Sequence, residues 1–432
     1  MWTDAGDGDR DGDLVTYGND VNDYKGDVNT GEALDLISDY AEQPDPFYLQ
    51  VDYLAPHGGG PNPESPQPPF DCDGSAKPAP RHASAFDSEP LAALADDSYN
   101  ESDVSDKPAF VQNMDEISPE DEARILRRYR CRLESTLSVD EGVKQIIDRL
   151  RDTGELQNTY VIYTSDNGYF HGEHRIKSGK NRAYEPALRV PLLIRGPLFP
   201  QDVSVRELTT NADPARTVMT VTGAEPSADR PPDGRSLINP ARNPWRETGR
   251  ELLIETNSFT AVRTQRYKLI ENDDGFVELY DLAVDPFELE NAAADPAYAD
   301  PLARLTARLA GLRTCKGETC RLSPELEPTF ETQRGQGGCT RPRIAVGLEG
   351  ADLAEVERLT VNLDNAPAGT DDTDPFEVRL RRSQLVQRKA DLEVLASLVD
   401  GRRMSWRESF TLCDQTPSVG SDPKRALRPQ GA

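Results

Sequence analysis

Tyr160-Val161-Ile162-Tyr163-Thr164-Ser165-Asp166-Asn167-Gly168 sets an apolar run against a polar break. The run predicts a strand over 159–164 that ends in an acid and an amide side by side. At the carboxyl end of a parallel strand, such side chains face the crevice where α/β proteins bind ligands. Asp166 offers charged oxygens and Asn167 a neutral carbonyl oxygen, the donor set of calcium or magnesium. Asp-Asn-Gly is also ordinary turn chemistry, and the stretch taken alone leaves both readings open.

The neighbouring elements extend the pattern. Upstream, Ser118-Pro119-Glu120-Asp121 opens a helix with proline at its first position. It carries Ile125, Tyr129, Leu133, Leu137, Val143, Ile147 and Leu150 on one side and stops near Thr153-Gly154. Downstream, Val190-Pro191-Leu192-Leu193-Ile194 is a second apolar run, and strand, helix, strand is the order of an α/β sheet. Nearer the start, Asp27 to Tyr40 predicts a helix with Val28, Ala33, Leu34 and Ile37 on its apolar face. Pro46 to Leu54 predicts a buried strand ending in Ala55-Pro56-His57-Gly58. Residues 58–118, rich in Pro, Ser, Asp and Gly, predict a long surface excursion.

Past Trp245 come short strands at 252–255, 260–263, 267–270 and 277–280, then a helix from Ala299 to Leu312. That is a small antiparallel sheet with a helix on it. Residues 313–340 read as a linker. Beyond it the alternation is strict: Leu359, Val361, Leu363; Phe376, Val378, Leu380; Leu392, Val394, Ala396, Leu398. Asp400-Gly401 signals a hairpin, and the whole of 341–414 predicts a β-sandwich. A polar tail, 415–432, follows.

Net charge is −27, from 49 Lys+Arg against 76 Asp+Glu. That excludes nucleic acid or an anionic membrane as an expected partner. No apolar run is long enough to span a bilayer, and Met1 to Asp13 lacks the basic start and apolar segment of a signal peptide. The six cysteines form no CxxC pair. Cys315 and Cys320 close a short loop, Cys339 and Cys413 bracket the predicted sandwich, and elimination pairs Cys72 with Cys131. Such pairing implies an oxidising compartment, extracellular, periplasmic or at the cell surface. Export without an export signal leads to the expectation that the start of the chain is missing. Asp7, Asp9, Asp11 and Gly12 fit half a calcium loop, but its twelfth position is Gly18 rather than glutamate, which favours a plain acidic segment.

Single residues say less. His57 after a strand suits an anion contact or a general acid, or a plain loop histidine. His171 and His174, spaced i, i+3, lack a third zinc ligand nearby. Lys180, after Gly179, suits an anion or plain solvation.

The combination is more specific. Tyr163 to Tyr169, then Gly179-Lys180, Tyr184-Glu185 and Arg189-Val190-Pro191-Leu192-Leu193-Ile194-Arg195-Gly196-Pro197, resembles the later half of the sulfatase family. Phe47 to Gly60, Arg128-Tyr129 with Val139-Asp140, and Glu278-Leu279-Tyr280-Asp281-Leu282 with Asp285-Pro286 resemble three further family stretches. Gly154-Glu155-Leu156 with Asn158-Thr159-Tyr160 leans toward arylsulfatases and glucosamine-6-sulfatases. The resemblance covers roughly 14–312.

It implies an incomplete alkaline-phosphatase-like α/β core over 1–244 and a small antiparallel C-terminal subdomain over 245–312. The 341–414 unit would then be an added Ig-like β-sandwich. The implied activity is hydrolysis of aryl or carbohydrate sulfate esters, with a sulfated small molecule or glycan as partner. The family uses a formylglycine nucleophile, made from a Cys/Ser-x-Pro-x-Arg motif, and a calcium ion. Asp166 and Asn167 match two calcium ligands, and His57 and Lys180 match the catalytic residues that contact sulfate and the leaving group. No nucleophile is assigned within this chain. Cys339-Thr340-Arg341-Pro342-Arg343 has its proline one place late, so the formylglycine is expected upstream of residue 1. Two alternatives stand beside this: a phosphodiesterase or phosphonate hydrolase of the same superfamily, and a non-catalytic glycan- or surface-binding fragment.

Overall fold

A computed structural model describes residues 2–4, 15–17, 23–58 and 72–413. The Asp/Gly half-loop at 7–18 lies mostly outside them, and the polar tail wholly so. Strands β1 (Trp2–Asp4) and β2 (Val15–Tyr17) pair antiparallel, and α1 (Lys25–Ala41) follows. A short α2 (Ala109–Gln112) precedes the long α3 (Pro119–Asp152). The Ser118 hydroxyl accepts from the Asp121 amide at 3.2 Å, and the Asp121 carboxylate accepts from Ser118 N at 3.4 Å. This reciprocal cap is why α3 starts there.

Strand β3 (Val161–Thr164), α4 (Glu185–Leu188) and β4 (Leu192–Arg195) come next. β3 and β4 pair antiparallel, with Val161 opposite Arg195, so the expected parallel arrangement does not hold for this pair. α1, α3 and β3 share a core of Ile37, Leu150 and Leu156, with Phe47, Leu49, Ile146, Ile147 and Val161 against it. Phe47 and Leu49 therefore point inward, while Tyr48 between them is 71% exposed. Among the described residues, 46–54 join no ladder. This corrects the buried strand: alternation supplies an inward face, but only a partner strand makes a sheet.

The segment before α3 corrects a second expectation. Residues 72–118 are not a surface excursion, since Val104, Val111 and the fully buried Lys107 enter the interior. Val104 and Val111 share a core with Phe170, Ile176, Tyr184 and Tyr280.

After α5 (Asp213–Thr222) and α6 (Ile238–Arg242), β5 (Leu252–Glu255), β6 (Phe259–Arg263), β7 (Tyr267–Asn272) and β8 (Val277–Asp281) form an antiparallel sheet in that order. Phe259, Ala261, Ile270 and Tyr280 face the core just named. Val262, Leu269 and Leu279 face α7 (Ala299–Leu312) through Leu305 and Leu309. The alternation of period two thus serves two different cores.

The last unit has two antiparallel sheets. One is ordered β13 (Glu377–Leu380), β10 (Thr340–Glu349), β9 (Glu327–Arg334). The other is ordered β12 (Ala366–Asp371), β11 (Val356–Leu363), β14 (Lys389–Leu398), β15 (Arg403–Thr411). One apolar cluster, including Ile344, Val346, Leu359, Val378, Val394 and Trp406, draws on both. β9 lies inside the stretch expected to be linker, so the unit begins earlier than 341. Disulfides join Cys72 to Cys131, Cys315 to Cys320 and Cys339 to Cys413.

Candidate active site

The turn after β3 is held by backbone bonds from three directions. Gly168 N donates to Ala187 O at 2.8 Å, Tyr169 N to Pro186 O at 2.9 Å and Phe170 N to Gly179 O at 3.0 Å. Asn211 Nδ2 donates to the carbonyls of Ser165 and Asp166 at 3.0 and 3.1 Å. A β-carbon on Gly168 would stand 2.0 Å from Pro186 O, so only glycine admits this approach. Phe170, fully buried, anchors the far side.

The same pinning places Lys180. Gly179 takes a φ of +110°, a conformation that glycine adopts freely, and its carbonyl is the one bonded to Phe170. Lys180 Nζ then lies 3.7 Å from Asp166 Oδ2, with side-chain exposures of 32% and 80%. So open an ion pair adds little stability, and both groups remain available to a ligand. Asn167 Nδ2 donates to Gly168 O at 2.8 Å, which leaves its oxygen as the free pole.

His57 follows a cis Ala55–Pro56 bond and is exposed. Its Nδ1–H donates to Gly58 O at 2.7 Å, leaving Nε2 as the ring nitrogen open to a ligand. A β-carbon on Gly58 would meet Gly74 O at 2.1 Å, so this loop lies hard against the 74–75 turn. Ser75 Oγ in turn reaches Arg128 O on α3 at 3.5 Å. One helical turn on, the Arg132 guanidinium lies 3.5 Å from the centre of the Tyr169 ring. The Arg128–Arg132 turn of α3 therefore stands between the His57 loop and the Asp166-Asn167 loop. The structure brings Lys180 to Asp166; it records no bond from His57 to either.

The two later histidines face different surroundings. His174 is fully buried, with Nδ1 2.7 Å from Glu101 Oε2. Glu101 also meets Lys107 Nζ at 3.2 Å. His171 sits between Tyr129 and Tyr169, with ring centres 5.4 and 5.2 Å away. Burial, and then the charge of Arg132, push its imidazole down to about 4. Sequence reasoning singled out His171 but missed Arg132 and the aromatic setting around this histidine. The aromatic spacing Tyr129, Tyr169, His171 gave no local signal, because the contacts join residues far apart in sequence.

Calcium demands six to eight oxygens, about four to six more than the two that Asp166 and Asn167 supply. Donor type fits; donor number does not. Among the described residues no group of three or more His, Cys, Asp or Glu side chains gathers to hold a metal. The expectation that the chain holds no Cys/Ser-x-Pro-x-Arg string is wrong: Ser421-Asp422-Pro423-Lys424-Arg425 has that form. It lies outside the described residues.

The turn after β3 thus sets an acid and an amide beside one another, with the Lys180 ammonium 3.7 Å from the acid. The sulfatase family model matches residues 7–224, and the model of the N-sulphoglucosamine sulphohydrolase C-terminal region matches 172–315. The chain belongs to the sulfatase family. An arylsulfatase of Volvox carteri is 35% identical over 343 residues, covering 69% of this chain and 52% of the relative. The human N-acetylglucosamine-6-sulfatase is 27% identical over 350 residues, covering 71% of this chain and 59% of the relative. The chain thus spans a little over half the length of these curated relatives. In fold it is similar to BT4656, solved in complex with its substrate D-glucosamine-2-N,6-O-disulfate. The TM-score there is 0.54, at 23% identity, covering 72% of each chain. Among the described residues no helix is long and apolar enough to cross a membrane.

Proposed function

We propose that the protein hydrolyses sulfate esters, of an aryl alcohol or a sulfated sugar, at the mouth of the β3 turn. The observation that carries this reading is Lys180 Nζ, 3.7 Å from Asp166 Oδ2 beside Asn167, on a turn fixed by backbone bonds. An ammonium at that place neutralises sulfate oxygens and the oxygen that leaves as the ester bond breaks. His57 serves the same leaving oxygen through Nε2. With Nδ1–H engaged on Gly58, it donates there only as the imidazolium. Asp166 and Asn167 would lend two of the six to eight oxygens that a calcium ion takes, and such an ion would polarise the sulfate. A formylglycine would supply the nucleophile. The glucosamine disulfate bound by BT4656 and the N-acetylglucosamine-6-sulfatase relative support a sulfated sugar as substrate. Three disulfides support an exported protein. The Ig-like assignment of the last unit is part of the same reading, supported by its two sheets over one core.

Sulfate release from an aryl sulfate and from glucosamine 6-sulfate, by protein purified from its own cells, tests this. Lys180→Ala and His57→Ala should each lower the rate by roughly a hundredfold or more. Faster cleavage of a phosphodiester or phosphonate ester would move the protein to the rival class. An unchanged rate in Lys180→Ala would remove the site.

A further inference from the structure

Five arginines crowd one end of the three-stranded sheet. β9 leaves that end at Arg334, β10 enters it through Arg341 and Arg343, and β13 runs out just before Arg381 and Arg382. Antiparallel register collects them: Thr340 pairs with Arg334, and Ile344 with Leu380. The opposite end is acidic, with Glu349 facing Glu327. The sheet is therefore charged unevenly along its length, in a chain whose net charge is −27.

Arg341, Arg343 and Arg382 line a groove of about 480 Å³ with Gln333, Pro342 and Leu380. All three arginines are exposed, and none has an ion-pair partner among the described residues. Elsewhere on this unit exposed arginines are paired, as Arg358 is with Asp372 at 2.7 Å and Arg407 with Glu393 at 3.0 Å. Crowded guanidiniums without carboxylates repel one another, and an anion relieves that repulsion. The register of β10 on β9 shifts between Thr340 and Ile344, and Pro342 carries no N–H. Such an irregularity re-aims side chains out of the regular alternation.

We propose that this groove binds a sulfated polysaccharide. Guanidinium forks match sulfate oxygens in pairs, while Pro342 and Leu380 offer apolar surface to a sugar ring. The groove lies on the sheet that does not include β15, the strand docked on residues 247–249. It would hold a polymer while the β3 turn acts on it. The choice of a sulfated glycan over another polyanion rests on the proposed function.

The test uses the full chain and calorimetric titration with heparin-derived oligosaccharides, a desulfated counterpart and duplex DNA. Arg341→Gln/Arg343→Gln/Arg382→Gln should weaken heparin binding by about tenfold or more, the loss of charge-assisted bonds. Arg382→Gln alone, just beyond β13, should give part of that loss without touching a strand. Arg358→Gln on the other sheet should change nothing. The desulfated chain and DNA should bind far more weakly than heparin. Undiminished binding by the triple variant, no binding by the parent, or equal binding of DNA or desulfated glycan would overturn the proposal. Hydrolysis of a small aryl sulfate, run in parallel, separates the two readings. Its absence with arginine-dependent binding intact sinks the catalytic reading and supports the groove.

Discussion

Gly168 is a residue chosen by its neighbours. With Pro186 O 2.0 Å from where a β-carbon would stand, Gly168→Ala must push the turn off α4. Overpacking of this kind costs about 1–3 kcal/mol, and the displaced turn carries Asp166 and Asn167 with it. The expected result is a lower melting temperature together with lost sulfate release; a melt identical to the parent would contradict the close approach. His171 supplies a pH signature. Its folded imidazole titrates near 4, against 6.5 for the free group. The unfolded chain therefore binds the extra proton first, and stability is lost as pH falls from 6.5 toward 4. The full shift amounts to roughly 3 kcal/mol at most. Urea unfolding of His171→Gln should show less decline across that window than the parent, and an equal decline in both would place the proton elsewhere.

At the scale of elements, local signals were legible where a residue's partner lies a few positions away. α3 could be read because Ser118 and Asp121 cap each other, and the β3 turn because its acid and amide adjoin an apolar run. The β11–β12 hairpin went unread although Asp364 and Asn365, both at positive φ, are its two-residue turn. Residues 46–54 misled because alternation does not reveal a missing ladder. Least legible were the buried charges. Lys268, fully buried on β7, meets Glu185 at 2.9 Å and Glu288 at 2.5 Å, from segments far away in sequence. Burial raises both carboxyls. Lys268 and Arg263 overcome it at Glu185 and bring that group to about 2, while Glu288 stays raised. Lys268→Met leaves Glu288 without its cation and Glu185 with Arg263 alone, at 3.2 Å, at a cost of about 3–5 kcal/mol. In the parent, Glu185's contribution is present above 4.5 and is lost as pH falls toward 2. The variant should be less stable at neutral pH and should show a smaller acid-dependent component, since Arg263 still faces Glu185. Equal stability at both ends of the range would show that the pair contributes nothing.

At the scale of the molecule, the two-sheet unit is fastened to the β5–β8 subdomain along β15. Thr248 bridges Met404, Gly249 N donates to Arg403 O at 2.9 Å, and Ser405 N donates to Glu247 O at 2.9 Å. The Arg403 guanidinium grips Glu247 at 2.7 and 2.5 Å, and that carboxylate is almost fully buried. Arg266 N to Gly401 O and Thr264 Oγ1 to Asp400 O, at 3.2 and 3.1 Å, add a second seam. Two devices thus act on one unit. The Cys339–Cys413 bridge closes a 74-residue separation and constrains the unit's own unfolded chain. Its loss should cost on the order of 4 kcal/mol in the chain-entropy model. Arg403 acts on docking instead. Arg403→Met leaves Glu247 buried without its partner, a penalty of about 3 kcal/mol or more, borne by the contact rather than by either core. The two changes therefore have different calorimetric signatures. Cys339→Ala/Cys413→Ala should lower the melting of the two-sheet unit specifically. Arg403→Met should split one cooperative transition into two, with Glu247→Gln/Arg403→Met partly restoring it because no unpaired charge is left buried. A single undivided transition in Arg403→Met, shifted no more than in an exposed control such as Arg358→Met, would show that the seam along β15 does not couple the units.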